Sequence, residues 1–143
     1  MNPTAPLSEP QHAPATPVPA RVLVVDDDPA LRRMVSLVLS FEGFDVAVAD
    51  DGIHGLEELE AGGFQAVVLD LQMPRMDGRA MFEEMRSRGD HTPVLLLSAY
   101  GAEQASKELG ADAGLAKPFD VDVLVDTVRS LFTSAEPTGN EAP

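Results

Sequence analysis

Five short apolar runs recur along this chain, separated by stretches of helical length, and that alternation admits few architectures. The runs lie at 22–25, 46–48, 66–69, 94–97 and 114–116. Short strands alternating with helical segments pack as an α/β parallel sheet joined by crossover helices. The first, third and fourth runs are apolar at every position, as strands covered on both faces must be, and are expected at the centre of the sheet. Val46 and Val48 alternate with smaller or polar neighbours, which suits an edge strand.

Between the runs, Leu31, Met34, Val35 and Val38 fall at i, i+3, i+4 and i+7, and Val121, Leu124, Val125 and Val128 repeat that spacing. Both segments are read as amphipathic helices. Asp28 offers an N-cap, Pro29 a first helical residue with φ already set, and Gly43 a left-handed stop, so the first helix is expected over about 29–42. Residues 1–20 hold six prolines and are expected to form a disordered or polyproline-like tail, and 134–143 has the same character. The folded body is expected over 21–133, a length that suits one domain.

Composition removes several functions. With 10 Lys plus Arg against 24 Asp plus Glu, the formal charge of -14 repels phosphate backbones, so direct nucleic-acid binding is not expected. The chain has no cysteine, which excludes disulfides, thiolate catalysis and cysteine-rich zinc sites. It has neither an apolar run of membrane-spanning length nor the pattern of a signal peptide, so no membrane association and a cytoplasmic location are expected.

In a doubly wound sheet, ligands collect at the carboxyl ends of the strands, so the residues just past each run are the informative ones. They are Asp26, Asp27 and Asp28 after the first, Asp70 after the third, Ser98 after the fourth and Lys117 after the fifth. Crowded carboxylates raise one another's proton affinity and favour a cation. Magnesium accepts a few carboxylates, keeps waters in its other positions and bridges to phosphate oxygens. Asp70 can then attack phosphorus while the metal, Lys117 and Ser98 share the three equatorial oxygens of the transferring group. Taken singly, each feature has a plainer reading: an acidic run as solvated surface, Ser98 as a hydroxyl bonded to backbone, Lys117 as an exposed charge. Asp28 is read as a helix cap rather than a ligand, Asp77-Gly78 as a turn, and Met73 and Met76 as packing. His12, His54 and His91 show no metal spacing and receive no role.

Four strings in register, Val-Leu-Val-Val-Asp-Asp-Asp-Pro at 22–29, Val-Val-Leu-Asp-Leu-Gln-Met-Pro-Arg-Met-Asp-Gly at 67–78, Ser98-Ala99 and Lys117-Pro118-Phe119, resemble the receiver domain of two-component response regulators. The resemblance covers 21 to about 133 and implies a flavodoxin-like doubly wound sheet of order 2-1-3-4-5 with helices on both faces. It implies Asp70 as phosphoacceptor, Asp27 as a direct magnesium ligand, Asp26 as a ligand acting mostly through water, and the Gln72 main-chain carbonyl as another ligand. Ser98 and Lys117 would bind the phosphoryl oxygens, and Lys117-Pro118 would be a cis peptide aiming the lysine inward. A histidine kinase or histidine phosphotransfer protein would supply the phosphoryl group, and a protein target would read it through the face of the fourth and fifth helices.

Three positions depart from the family pattern. Receivers usually carry Tyr or Phe three residues before the lysine, where this chain has Gly114, so switching is expected to rely on Ser98 and backbone near the fourth helix, or on another ring such as Tyr100. The charged pairs through which the DNA-binding branch dimerises are replaced by Val123 and Thr127, so that dimer is not expected. No output domain follows residue 133, so readout through a partner protein is expected unless the chain is a fragment of a longer one.

Three other functions compete. A magnesium-dependent aspartyl-phosphate hydrolase of the haloacid-dehalogenase type carries a second Asp two residues after the nucleophile, where this chain has Gln72, so no enzyme activity beyond self-phosphorylation and self-dephosphorylation is expected. A flavodoxin-like cofactor carrier wraps phosphate in a hydroxyl-rich or glycine-rich loop, where three aspartates would repel it. A phosphorylation-independent adaptor leaves the five site residues without a purpose.

Overall fold

The computed structural model describes residues 20–73 and 75–135. The tails expected at 1–20 and 134–143 lie outside them, except for Ala20 and the last two residues of the C-terminal helix, which continues past the expected end of the body at 133.

Five strands alternate with five helices: β1 (Arg21–Val25), α1 (Pro29–Phe41), β2 (Asp45–Ala49), α2 (Gly52–Ala61), β3 (Ala66–Asp70), α3 (Gly78–Ser87), β4 (Val94–Ser98), α4 (Ala102–Leu109), β5 (Ala113–Ala116) and α5 (Val121–Ala135). All pairings are parallel, in the order β2-β1-β3-β4-β5, as expected. The three uniformly apolar runs are the interior strands, and the alternating run forms the β2 edge.

The two-residue period of each strand sends its side chains to two separate cores. Val22, Val24, Val68, Leu95 and Leu97 pack with Val35 and Leu39 of α1 and with Leu124, Val125, Val128 and Leu131 of α5. Leu23, Val25, Val67, Leu69 and Leu96 pack on the other face with Leu56 of α2, Met81, Phe82 and Met85 of α3, and Ala105 of α4. Each large aliphatic side chain taken fully from water contributes about 1.5–3 kcal/mol. On α1 the helical stripe is shifted slightly from the sequence reading: Val35 and Leu39 are buried, while Leu31, Met34 and Val38 pack at the margin.

The carboxyl ends of the strands also form the edge from which the helices begin. The Asp28 carboxylate accepts the N–H groups of Ala30 and Leu31 at the start of α1, Asp51 accepts that of His54 in α2, and Asp77 that of Ala80 in α3. α1 stops at Phe41, after which Gly43 adopts φ 100. Among the described residues no helix is long and apolar enough to cross a membrane.

Candidate functional site

Parallel register brings the strand ends level. Val25 is paired with Ala49 and Leu69, Asp70 with Leu97, and Ser98 with Ala116, so the residues that end β1, β3, β4 and β5 share one edge. Asp70 and Ser98 are the last residues of their strands rather than the first beyond them.

The three acids differ in setting. Asp26 is 1 % exposed and Asp70 is 2 % exposed, whereas Asp27 is on the surface. Carboxylate oxygens of Asp26, Asp27 and Asp70 all lie within 4.8 Å of one another, close enough for one metal ion to reach all three. Lys117 Nζ stands 3.1 Å from Asp70 Oδ1 and 3.5 Å from Asp26 Oδ2, and the Lys117-Pro118 peptide is cis, as the resemblance implies. Asp28 points elsewhere, as the cap of α1, although its N–H donates to Asp26 Oδ1 at 2.9 Å.

Burial pushes the Asp70 carboxyl up to about 6 from its ordinary 3.8, and the charge of Asp26 adds to the shift, while the hydrogen bond from Lys117 opposes it. Asp26 is also raised, chiefly by burial, against the N–H of Asp28 and the charge of Lys117. Burial works against the Lys117 ammonium, but its hydrogen bond to Asp70 and the charges of both acids outweigh it and leave its pKa raised. One lysine therefore offsets three carboxylates incompletely. A hard divalent cation suits such a donor set, since it tolerates several oxygen ligands and disfavours protons on them.

Ser98 is fully buried, and its single proton has two acceptors in reach, the Tyr100 main-chain oxygen at 2.7 Å and Gln72 Oε1 at 3.2 Å. Tyr100 N–H returns a bond to Ser98 Oγ at 3.2 Å. The hydroxyl thus ties the chain between β4 and α4 to the loop after β3. The Tyr100 side chain is 85 % exposed, and the place of the family's aromatic is filled by backbone, because a Cβ on Gly114 would lie 2.3 Å from the main-chain oxygen of Ala102.

The sequence reading did not single out Asp51 and Arg75, whose side chains pair across the same edge. Asp51 before Gly52 is a recognisable helix start, but nothing local marks Arg75 as its partner 24 residues later.

Fold and site together define a doubly wound α/β protein that gathers buried carboxylates and a lysine at the carboxyl edge of its sheet. The response regulator receiver domain matches residues 22–129. Response regulator MprA of Mycobacterium sp. (strain KMS) is 39 % identical over 130 residues, which cover 88 % of this chain and 56 % of that protein. Response regulator MprA of Mycolicibacterium vanbaalenii is 40 % identical over 123 residues, covering 84 % and 53 %. This chain therefore spans about half the length of those curated relatives. Among solved structures, the Francisella response regulator 1452 receiver domain superposes with a TM-score of 0.78 at 30 % identity, covering 82 % of this chain and 99 % of that one. Response regulator protein TrrA of Thermotoga maritima, solved in complex with Mg(2+)-BeF, gives 0.72 at 31 % identity, covering 78 % and 98 %. The chain belongs to the response regulator receiver family, and its role is that of the phosphoacceptor domain of two-component signalling.

Proposed function

We propose that Asp70 is the phosphoacceptor, loaded by a histidine kinase or a histidine phosphotransfer protein in the cytoplasm, and that the phosphorylated domain acts by binding a protein target. The observation that carries this reading is the buried Asp70 carboxylate held 3.1 Å from Lys117 Nζ within an acidic cluster spanning 4.8 Å. Gln72 N–H and Lys117 Nζ both engage Oδ1, so Oδ2 is the oxygen we assign to attack. As the Oδ2–phosphorus bond forms, the bond from phosphorus to the donor imidazole nitrogen breaks and its electron pair returns to the ring.

Asp27, Asp26, Asp70 and the Gln72 main-chain carbonyl would hold magnesium, which supplies neutralising charge to the phosphoryl oxygens. Lys117 keeps its proton and faces one oxygen, and the Ser98 hydroxyl turns toward another. At neutral pH a carboxyl titrating at about 6 is mostly ionised and hence nucleophilic. Water attack on the acyl phosphate would end the signal without turnover of any outside substrate, and the relative solved with Mg(2+)-BeF supports a site of this chemistry.

The test is incubation with a small phosphodonor and magnesium, read by intact mass. One acid-stable, base-labile phosphoryl group is expected on the wild type and none on Asp70→Asn. Uptake by Asp70→Asn overturns the assignment, and many turnovers of a phosphate ester by the wild type would establish a hydrolase.

A further inference from the structure

The loop from β3 to α3 carries Gln72 and closes against α2, a helix with no side chain in the acidic cluster. The N–H of Gly52, the first residue of α2, donates to the main-chain oxygen of Met76 at 3.1 Å. A Cβ on Gly52 would stand 2.6 Å from Met76 Cγ and 2.7 Å from that oxygen, so the two segments meet at a distance only glycine allows.

One residue earlier, Asp51 is 3 % exposed and its carboxylate joins α2 to the loop. Its Oδ1 accepts the His54 N–H at 2.8 Å, which caps α2, and its Oδ2 receives both Nε and Nη2 of Arg75. The His54 N–H foremost, with the Arg75 guanidinium, outweighs burial and holds the Asp51 pKa below its ordinary value. Arg75 itself sits at φ 62, where a side chain costs about 1 kcal/mol or more and persists only if its surroundings dictate it. A buried carboxylate anchored as a helix cap is such a constraint, because α2 holds it still while the loop comes to it.

Among the described residues the loop is otherwise tied near its two ends: Leu71 N–H donates to Leu97 O at 2.9 Å, Gln72 N–H to Asp70 Oδ1 at 3.3 Å, Ser98 Oγ to Gln72 Oε1 at 3.2 Å, and Gly78 N–H to Leu71 O at 3.1 Å. The links to Asp51 and Gly52 hold Arg75 and Met76 against the start of α2.

We propose that Asp51 and Arg75 are positioning residues, whose ion pair clamps the β3–α3 loop to the start of α2 and so presets the Gln72 main-chain carbonyl for the divalent cation. This rests on the cation site proposed above. Without the clamp the cation would have to order the loop as it binds, and its affinity falls by that ordering cost.

Calorimetric titration with Mg2+, paired with metal-free thermal unfolding, separates positioning from mere support. The double variant Asp51→Asn/Arg75→Gly keeps an oxygen to cap α2, removes the unfavourable φ and leaves the net charge unchanged. The expected result is a Kd for Mg2+ weakened about tenfold, within the range for partners that orient metal ligands, with a Tm equal to wild type or higher. An unchanged Kd overturns the clamp, whatever happens to Tm. Should the double variant fail to fold, Arg75→Gln gives the same reading. Absence of Mg2+ binding by the wild type overturns the cation site itself and the clamp with it, whereas binding by both proteins with equal Kd overturns the clamp alone.

Discussion

Lys117 Nζ lies 3.1 Å from Asp70 Oδ1, joining residues 47 positions apart at the ends of two strands that do not touch, since β4 runs between β3 and β5. The pair places a fixed positive charge beside the carboxylate that we assign to accept phosphorus. Lys117→Met keeps much of the side chain's length and removes the charge. Phosphoryl uptake from a small donor, followed by mass against time, should slow about a hundredfold, the usual loss when one preset charge is removed from a transferring group. The Asp70 pKa should rise beyond its value of about 6, seen by carboxyl NMR titration.

Stability should depend on pH through the same carboxylate. The folded state holds the Asp70 proton to about 6 and an unstructured chain releases it near 3.8, so the contribution is fully present below 3.8 and lost as pH rises through 6. Asp26, also raised, acts in the same sense, whereas Asp51, lowered, contributes above its ordinary 3.8 and loses that only as pH falls through its depressed value. In metal-free buffer Asp70→Asn should exceed wild type in urea unfolding at pH 7 by on the order of 2 kcal/mol, with the gap closing by about pH 4. Adding Mg2+ at pH 7 should raise the wild-type Tm and leave that of Asp70→Asn nearly unmoved.

Adjacent aspartates should separate cleanly by role. Asp28 receives the N–H groups of Ala30 and Leu31, so Asp28→Ala is expected to cost about 1 kcal/mol in urea unfolding while phosphoryl uptake stays at the wild-type rate. Asp27 is exposed and sits in the acidic cluster, so Asp27→Ala should do the reverse, with little loss of stability and Mg2+ affinity weakened at least about tenfold.

Gly114 should prove structural as well as a missing ring. A Cβ there would meet the Ala102 main-chain oxygen at 2.3 Å and Ser106 Cβ at 3.0 Å, so Gly114→Ala must push α4 from β5. A loss of about 1–3 kcal/mol in urea unfolding is expected, as for other overpacked contacts. Gly114→Tyr should be worse, showing that the family's aromatic cannot simply be put back.

Much of this was readable from the chain because it is written in local spacing. The uniform runs at 22–25, 66–69 and 94–97 are the interior strands, the alternating one is the β2 edge, and Asp28-Pro29 opens α1 as its cap chemistry requires. The residues brought to the shared edge, Asp26, Asp27, Asp70, Ser98 and Lys117, are those picked out by their place after each run. What escaped was of another kind. Gly114 was legible as the lack of a ring, but that α4 backbone fills the space depends on how tightly that helix packs. Nothing in the local pattern set Arg75 apart.

By itself the sequence determined how many strands there would be, which strand faces are apolar, where the first helix starts, and which chemical groups stand at the strand ends, because periodicity and capping act over a few residues. Only the tertiary structure decided that Lys117 meets Asp26 across 91 positions, that Arg75 reaches Asp51, and that Ser98 bridges Gln72 and Tyr100. Those contacts follow from strand order and loop path, where the stabilisation comes from many distant surfaces burying one another at once and no short stretch of chain holds the information.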